Sequence, residues 1–141
     1  MLKEVYSTAF KTYKGEIRKP ITFFPGLNVV LGTNDAANSI GKSSFLMVLD
    51  YVFAGDDYIN KCSDIQDNVK GHTICFAFEN DGKMSYFSRS TLDNSHVNVC
   101  NAKYVAIETI TITAYRKILA EMYETGCEDQ TFRGMVSTYL R

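Results

Sequence analysis

Apolar and polar positions divide the chain into short alternating runs followed by helical ones. Residues 3–10 (KEVYSTAF) and 16–24 (EIRKPITFF) read as two strands joined by the polar turn KTYKG, with Pro20 placing the second near an edge or a bulge. Pro25-Gly26 then turns the chain into LNVVLG, where Leu27, Val29, Val30 and Leu31 form a short β-branched run, as expected of a central strand buried on both faces. A loop from Gly32 to Gly41 leads into SSFLMVLDYVFAG, in which Phe45, Leu46, Leu49, Val52 and Phe53 recur at helical spacing and Gly55 sits just past the end. Residues 55–71 are acidic and weakly periodic, which predicts an exposed connection with at most a helical turn.

Beyond it, GHTICFAFE and KMSYFSRSTL alternate around Asn80-Asp81-Gly82, and Asp-Gly accepts the positive φ that a type I′ hairpin turn requires. HVNVC and KYVAIE flank Asn101-Ala102 in the same way, so an antiparallel meander is expected. TITAYRKILAEMY and DQTFRGMVSTYLR each predict a helix, the first capped by Thr111 or Thr113 and the second by Asp129. The whole predicts an α/β fold: a mixed sheet with an antiparallel meander, a helix after the loop, and helices at the C-terminal end.

Composition changes this picture little. In 141 residues, 45% are hydrophobic and 22% charged, which suits one folded domain with a substantial core. The formal net charge of −1 gives no electrostatic argument for nucleic acid or anionic membrane. The start MLKEVYSTAFK lacks the apolar core of a signal peptide, so a cytoplasmic chain is expected. Cys62, Cys75, Cys100 and Cys127 form no CxxC pair and have neither His72 nor His96 at ligand spacing, so they read as buried thiols and the histidines as satisfied or exposed. Asp56, Asp57, Asp64 and Asp67 read as a solvated acidic loop.

The candidate chemistry lies between the central run and the helix. In a phosphate-binding loop, backbone N–H groups wrap the phosphates, a lysine meets the terminal phosphates and a Ser or Thr hydroxyl ligates Mg²⁺. Here Asn38, Ser39, Ile40 and Gly41 would form the cradle, Lys42 would be the phosphate lysine and Ser43 the Mg²⁺ hydroxyl, with Ser44 beside it. The pattern GxxxxGK[ST] fails at its first glycine, where Ala36 stands, with Gly32 further upstream. That first position mainly starts the turn and accepts alanine where φ is negative, whereas Gly41 precedes the lysine where the backbone is tightly wound. The plainer alternative is a helix that begins at GKS with Asn38 or Ser39 as its cap.

The segments FPGLNVVLG and NSIGKSSFLMVLDYVFAGDD resemble the N-terminal ATP-binding half of SMC-like ABC ATPases, the group that includes RecF, RecN and the DNA-repair coiled-coil ATPases. There, NGSGKS stands where this chain has Asn38 to Ser43, with Ser39 replacing a glycine. A bacterial RecN-like branch, some members of which belong to multi-component ABC defence systems, is more similar still, with an extended loop, NSIGKS and a late segment like TFRGMVSTYLR. The resemblance is specific around residues 26–57 and 130–141. It implies that residues 1–141 are one half of an ATP- and Mg²⁺-binding head whose other half follows a coiled coil. It also implies little hydrolysis by this half alone, a C-terminal half as partner, dimerising heads, and DNA as the partner of the full protein. Phe10-Lys11 falls where relatives carry a basic residue that reaches the nucleotide, a role open to Lys11 or Lys14, and Gln130 falls where a glutamine senses Mg²⁺.

The acidic motif and the LSGGQ-like signature of that class are absent from this sequence. FLMVLD at residues 45–50 lies in the predicted helix, which would aim Asp50 away from the phosphates, and VAIE ending at Glu108 reads as an ordinary half-buried strand. Two other readings stay open: a different P-loop enzyme such as a GTPase or kinase, though no NKxD motif occurs, and an interaction module with a degenerate loop. If strands flanking residues 27–31 are missing, the exposed apolar edge also predicts self-association.

Overall fold

The structure, a computed structural model, describes residues 1–29, 40–62 and 67–124. Six strands form one sheet in the order β2-β1-β3-β4-β5-β6: β1 Leu2–Tyr6, β2 Ile21–Thr22, β3 Thr73–Asn80, β4 Lys83–Ser90, β5 His96–Cys100 and β6 Ala106–Thr111. Helices α1 (Ile40–Val52), α2 (Asp57–Lys61) and α3 (Ile112–Met122) lie beside it, and residues 67–69 are also helical. None of them is long and apolar enough to cross a membrane.

All five strand pairings are antiparallel, so the parallel component of the expected mixed sheet does not occur among the described residues. The β3–β4 hairpin forms as its sequence demands, with Asp81 at φ 51° and Gly82 at φ 76° between strands paired from Thr73↔Ser90 to Asn80↔Lys83. The next turn is longer than Asn101-Ala102. Asn101 Oδ1 accepts from Lys103 N and Val105 N, Tyr104 adopts φ 58°, and β6 starts at Ala106 and runs past the expected strand end at Glu108 to Thr111, the first residue of the expected helical segment. Helix α3 is capped by Thr111, whose Oγ1 accepts from Ala114 N. The second expected helix, with Asp129, lies outside the described residues.

At the N-terminal side, the second expected strand shrinks to two residues. Residues 10–18 instead close a tight hairpin, in which Thr12 N donates to Glu16 O, Gly15 N to Thr12 O and Arg18 N to Phe10 O, with Gly15 at φ 82°. β2 is an edge strand, in accord with Pro20 just before it. The expected central strand is corrected where it is described: Leu27 is 90% and Val29 63% exposed, and neither belongs to the sheet. A doubly buried strand needs neighbours on both edges, and none is present for this segment among the described residues. Its turn is nonetheless well defined, since Asn28 Oδ1 accepts from Phe24 N and Nδ2 donates to the carbonyls of Phe24 and Gly26.

One face of the sheet carries the core. Alternation along β3 sends Ile74, Phe76 and Phe78 to that face, where they meet Val5, Phe87 and Val97 and are covered by Val48, Tyr51 and Val52 of α1 and Tyr115 and Leu119 of α3. Leu46, expected on the buried stripe, is 45% exposed. The opposite face is small and polar around Cys75, Ala77, Ser88 and Cys100. Tyr104 reaches across it, its ring edge-on to Tyr86 at 5.6 Å and its hydroxyl donating to Glu4 Oε1 at 2.6 Å. Residues 55–62 are less exposed than expected, because α2 buries Tyr58, whose hydroxyl meets His72 Nε2 at 2.9 Å, whereas residues 67–71 are exposed.

The C-terminus of α1 is driven into this core, and its carbonyls need partners there. Ala54, not Gly55, takes the left-handed conformation (φ 64°), while Gly55 N donates to Asp50 O and Ala54 N to Tyr51 O, the two bonds of a Schellman ending. Gly55 is favoured for a different reason, since a Cβ there would run into the Asp50 carboxylate and force it to move. The remaining carbonyls are met by side chains. Arg89, 2% exposed, donates from Nη1 to Tyr51 O (2.9 Å) and Gly55 O (2.6 Å) and from Nη2 to Asn94 O (2.8 Å). Tyr115 Oη donates to Val52 O and Arg116 Nη2 to Ala54 O. The Arg89 guanidinium also lies 3.8 Å from the centre of the Tyr51 ring. Burial pulls its pKa below the ordinary value.

Arg89→Met would keep the packing volume but strip hydrogen-bond donors from carbonyls sealed in the core. We expect a loss on the order of 3 kcal/mol or more in urea denaturation, against about 1 kcal/mol for Tyr115→Phe, which leaves one carbonyl unmet. Equal, small losses for both would contradict the clamp.

Candidate functional site

The fixed end of α1 determines where its other end lies. Gly41, Lys42 and Ser43 are exposed and occupy the first turn of the helix, which begins at Ile40, three residues before the expected start. The N–H groups of that turn have no acceptor within the helix, and no acidic side chain stands in it, so the positive end of the helix dipole is not neutralised by its own sequence. Among the described residues, a Cβ built at Gly41 would meet nothing within 4 Å. Phe45, one turn on, stacks on Phe23 with ring centres 6.3 Å apart, tying this end of the helix to the segment after β2.

Of the expected cradle, Asn38 and Ser39 lie outside the described residues, as does Gln130. Ile40 is the first helical residue and Ser44 is half-buried at the second turn position. Lys11 is exposed on the residue 10–18 hairpin, bridged to Ile17, with its carbonyl accepting from Arg18 Nε at 3.1 Å. Lys14 lies over the Tyr13 ring at the tip of the same hairpin. Asp50 sits eight residues after Lys42, about 12 Å along the helix at the α-helical rise, and packs on Gly55 at the buried end. Glu108 is exposed on β6 opposite Val99.

The other candidate groups are structurally engaged. Cys75 is pushed up to about 11 by burial, then by the nearby Cys100, so its thiol is a poor nucleophile. Cys127 lies outside the described residues. His72 bonds Tyr58 through Nε2 and the Lys70 carbonyl through Nδ1. Asp57 pairs with Lys61 at 2.7 Å along α2. Among the described residues no three His, Cys, Asp or Glu side chains gather as a metal site.

One cluster was not legible from spacing. Asp93, Ser95 and His96 meet in the β4–β5 turn: Asp93 Oδ1 accepts from Ser95 N and Oγ, and Asp93 Oδ2 lies 2.9 Å from His96 Nδ1. Ser95 Oγ lies 2.9 Å from the same nitrogen. A Ser-His-Asp relay needs the serine and the carboxylate on opposite ring nitrogens, so this exposed arrangement is a turn lock and not a hydrolytic triad. It matters because it shapes the turn whose Asn94 carbonyl receives Arg89.

Known protein families, curated proteins and solved structures contain no match to this chain.

Hydrogen bonds from the Ser95 hydroxyl, then from His96, hold Asp93 down from 3.8 to about 2. A carboxyl depressed by folding stabilises fully above its unfolded pKa and loses that contribution as pH falls through the folded value. Acid denaturation should therefore show a component between about pH 4 and pH 2 that Asp93→Asn removes. An unchanged acid profile in that variant would discount the turn lock.

Proposed function

We propose that this chain is the ATP- and Mg²⁺-binding N-terminal part of an SMC-like ATPase head of the RecN and RecF type. The observation that carries the reading is the polarity of α1: its C-terminal carbonyls are clamped in the core, while Gly41, Lys42 and Ser43 stand exposed on a first turn without acidic residues. In this reading the first-turn N–H groups from Ile40 onward, with Asn38 and Ser39 ahead of them, receive phosphate oxygens. The Lys42 ammonium neutralises the terminal phosphates, and the Ser43 hydroxyl, beside Ser44, ligates Mg²⁺. Mg²⁺, when bound, offsets charge on the phosphate oxygens and is held largely by them and by water, so one protein hydroxyl suits it. Lys11 or Lys14 adds a further cation toward the nucleotide, and Gln130 a further metal contact.

The same reading accounts for the exposed Leu27 and Val29. They would be the strand that the C-terminal half of the head covers, which makes that half the main partner of this one. That half would also supply the acidic motif and signature, so the present chain should hydrolyse ATP hardly at all. Complete heads would close in pairs around ATP, and DNA would be the substrate of the whole protein, in repair or defence.

Titration calorimetry tests the nucleotide part. We expect weak binding of Mg-ATP, weaker or absent binding of Mg-GTP, and at least about a tenfold loss of affinity in Lys42→Ala, the cost of one charge-assisted contact. Equal binding of both nucleotides would favour a different P-loop enzyme. No binding, even in a longer chain carrying the C-terminal half, would leave an interaction module.

A further inference from the structure

The two edges of the sheet are guarded unequally. β2 is two residues long and follows Arg18, Lys19 and Pro20, whose charges and missing N–H discourage strand addition. β6 is six residues of sequence AIETIT without proline or lysine, and among the described residues no strand pairs with its outer side. Ala106, Ile107, Glu108 and Thr109 are all exposed, Ile107 by 71%, and Val105 just before them by 57%.

The backbone polarity of β6 follows from its pairing. Ile112 N donates to Ser95 O, in step with the register Val97↔Ile110 and Val99↔Glu108. Antiparallel ladders alternate, so Ile110 and Glu108 turn their N–H and C=O groups toward β5, and Thr109 turns both of its groups outward.

We propose that β6 pairs antiparallel with β6 of a second copy of this chain, about a two-fold axis through Thr109. In that register the strand pairs with itself through outward-turned backbone groups and sets no like charges against each other. Thr109 exchanges two backbone hydrogen bonds with the second copy's Thr109, Ile107 falls opposite the second copy's Thr111, and Glu108 falls opposite the second copy's Ile110. A register centred on Glu108 would set two carboxylates against each other and present inward-turned backbone groups. The net charge of −1 opposes association little. The paired segment is short, so the dimer is weak and depends on concentration.

Sedimentation velocity of the full chain from micromolar to near-millimolar concentration, with amide exchange of Thr109 measured alongside, tests this. The expected result is a concentration-dependent shift from monomer to dimer, with Thr109 protection rising in parallel. Thr109→Pro leaves the β5 ladder intact, since its N–H faces away and it loses an exposed side-chain bond to Asn98, and should weaken association by about tenfold or more. Ile107→Lys, at an exposed position, should do the same should the proline variant fail to fold. A monomer throughout, a dimer that Ile107→Lys leaves unchanged, or Thr109 protected equally at all concentrations would each overturn the proposal. The last outcome would mean that a segment of the same chain covers the edge. None of these readouts involves nucleotide, so they stand apart from the ATP-binding reading.

Discussion

A buried guanidinium that, among the described residues, pairs with carbonyls and not with a carboxylate is the constraint on which the architecture turns. Arg89 sits in β4 on the core face and satisfies carbonyls from the last turn of α1, from Gly55 just beyond it and from the β4–β5 turn, while its guanidinium lies against the Tyr51 ring. Removing a cation from water is costly, and these polar contacts with the negative end of the α1 dipole offset that cost. The arrangement works only if the helix ends at one depth, with Ala54 left-handed and Gly55 close against the Asp50 carboxylate. Tyr115 and Arg116 from α3 complete the set, so sheet, α1 and α3 are fixed to one another at a single buried point.

From that point follows the orientation of everything upstream. A helix held rigidly at its C-terminus carries its N-terminus to a defined place, and here that place is solvent-facing. Pre-organisation of this kind leaves little conformational entropy to be lost by the helix itself should a ligand meet its first turn. The helix is thus both a core element and the support on which Gly41, Lys42 and Ser43 are presented. These two roles fall on opposite ends of one thirteen-residue segment.

What the sequence revealed was mostly local. Asp81-Gly82 specified its hairpin because the conformation is written in two residues, and Thr111 capped α3 because a cap depends on the few residues after it. Pro20 marked an edge for the equally local reason that it lacks a donor. Arg89 was illegible: in an alternating strand it reads as an outward cation, and only the arrival of α1 from elsewhere makes it an interior cap. Apolarity at Leu27 and Val29 was read as burial, but it reports what a segment requires and not whether a partner is present to meet it. Gly55 drew attention as the helix terminator while Ala54 performed that role, because the buried ending over-determines its backbone. At the candidate site, residue types and order were visible in advance; the helical start at Ile40 and the exposure of the first turn came from the fold.

If one end of α1 is locked and the other receives phosphate, amide-resolved NMR of the chain titrated with Mg-ATP shows both at once. We expect shifts concentrated at the amides of Gly41, Lys42, Ser43 and Ser44, with the Arg89 side-chain signals and the amides of Ala54 and Gly55 unmoved and strongly protected from exchange. Shifts that avoid the first turn, or an Arg89 side chain that exchanges as freely as a surface arginine, would contradict this expectation.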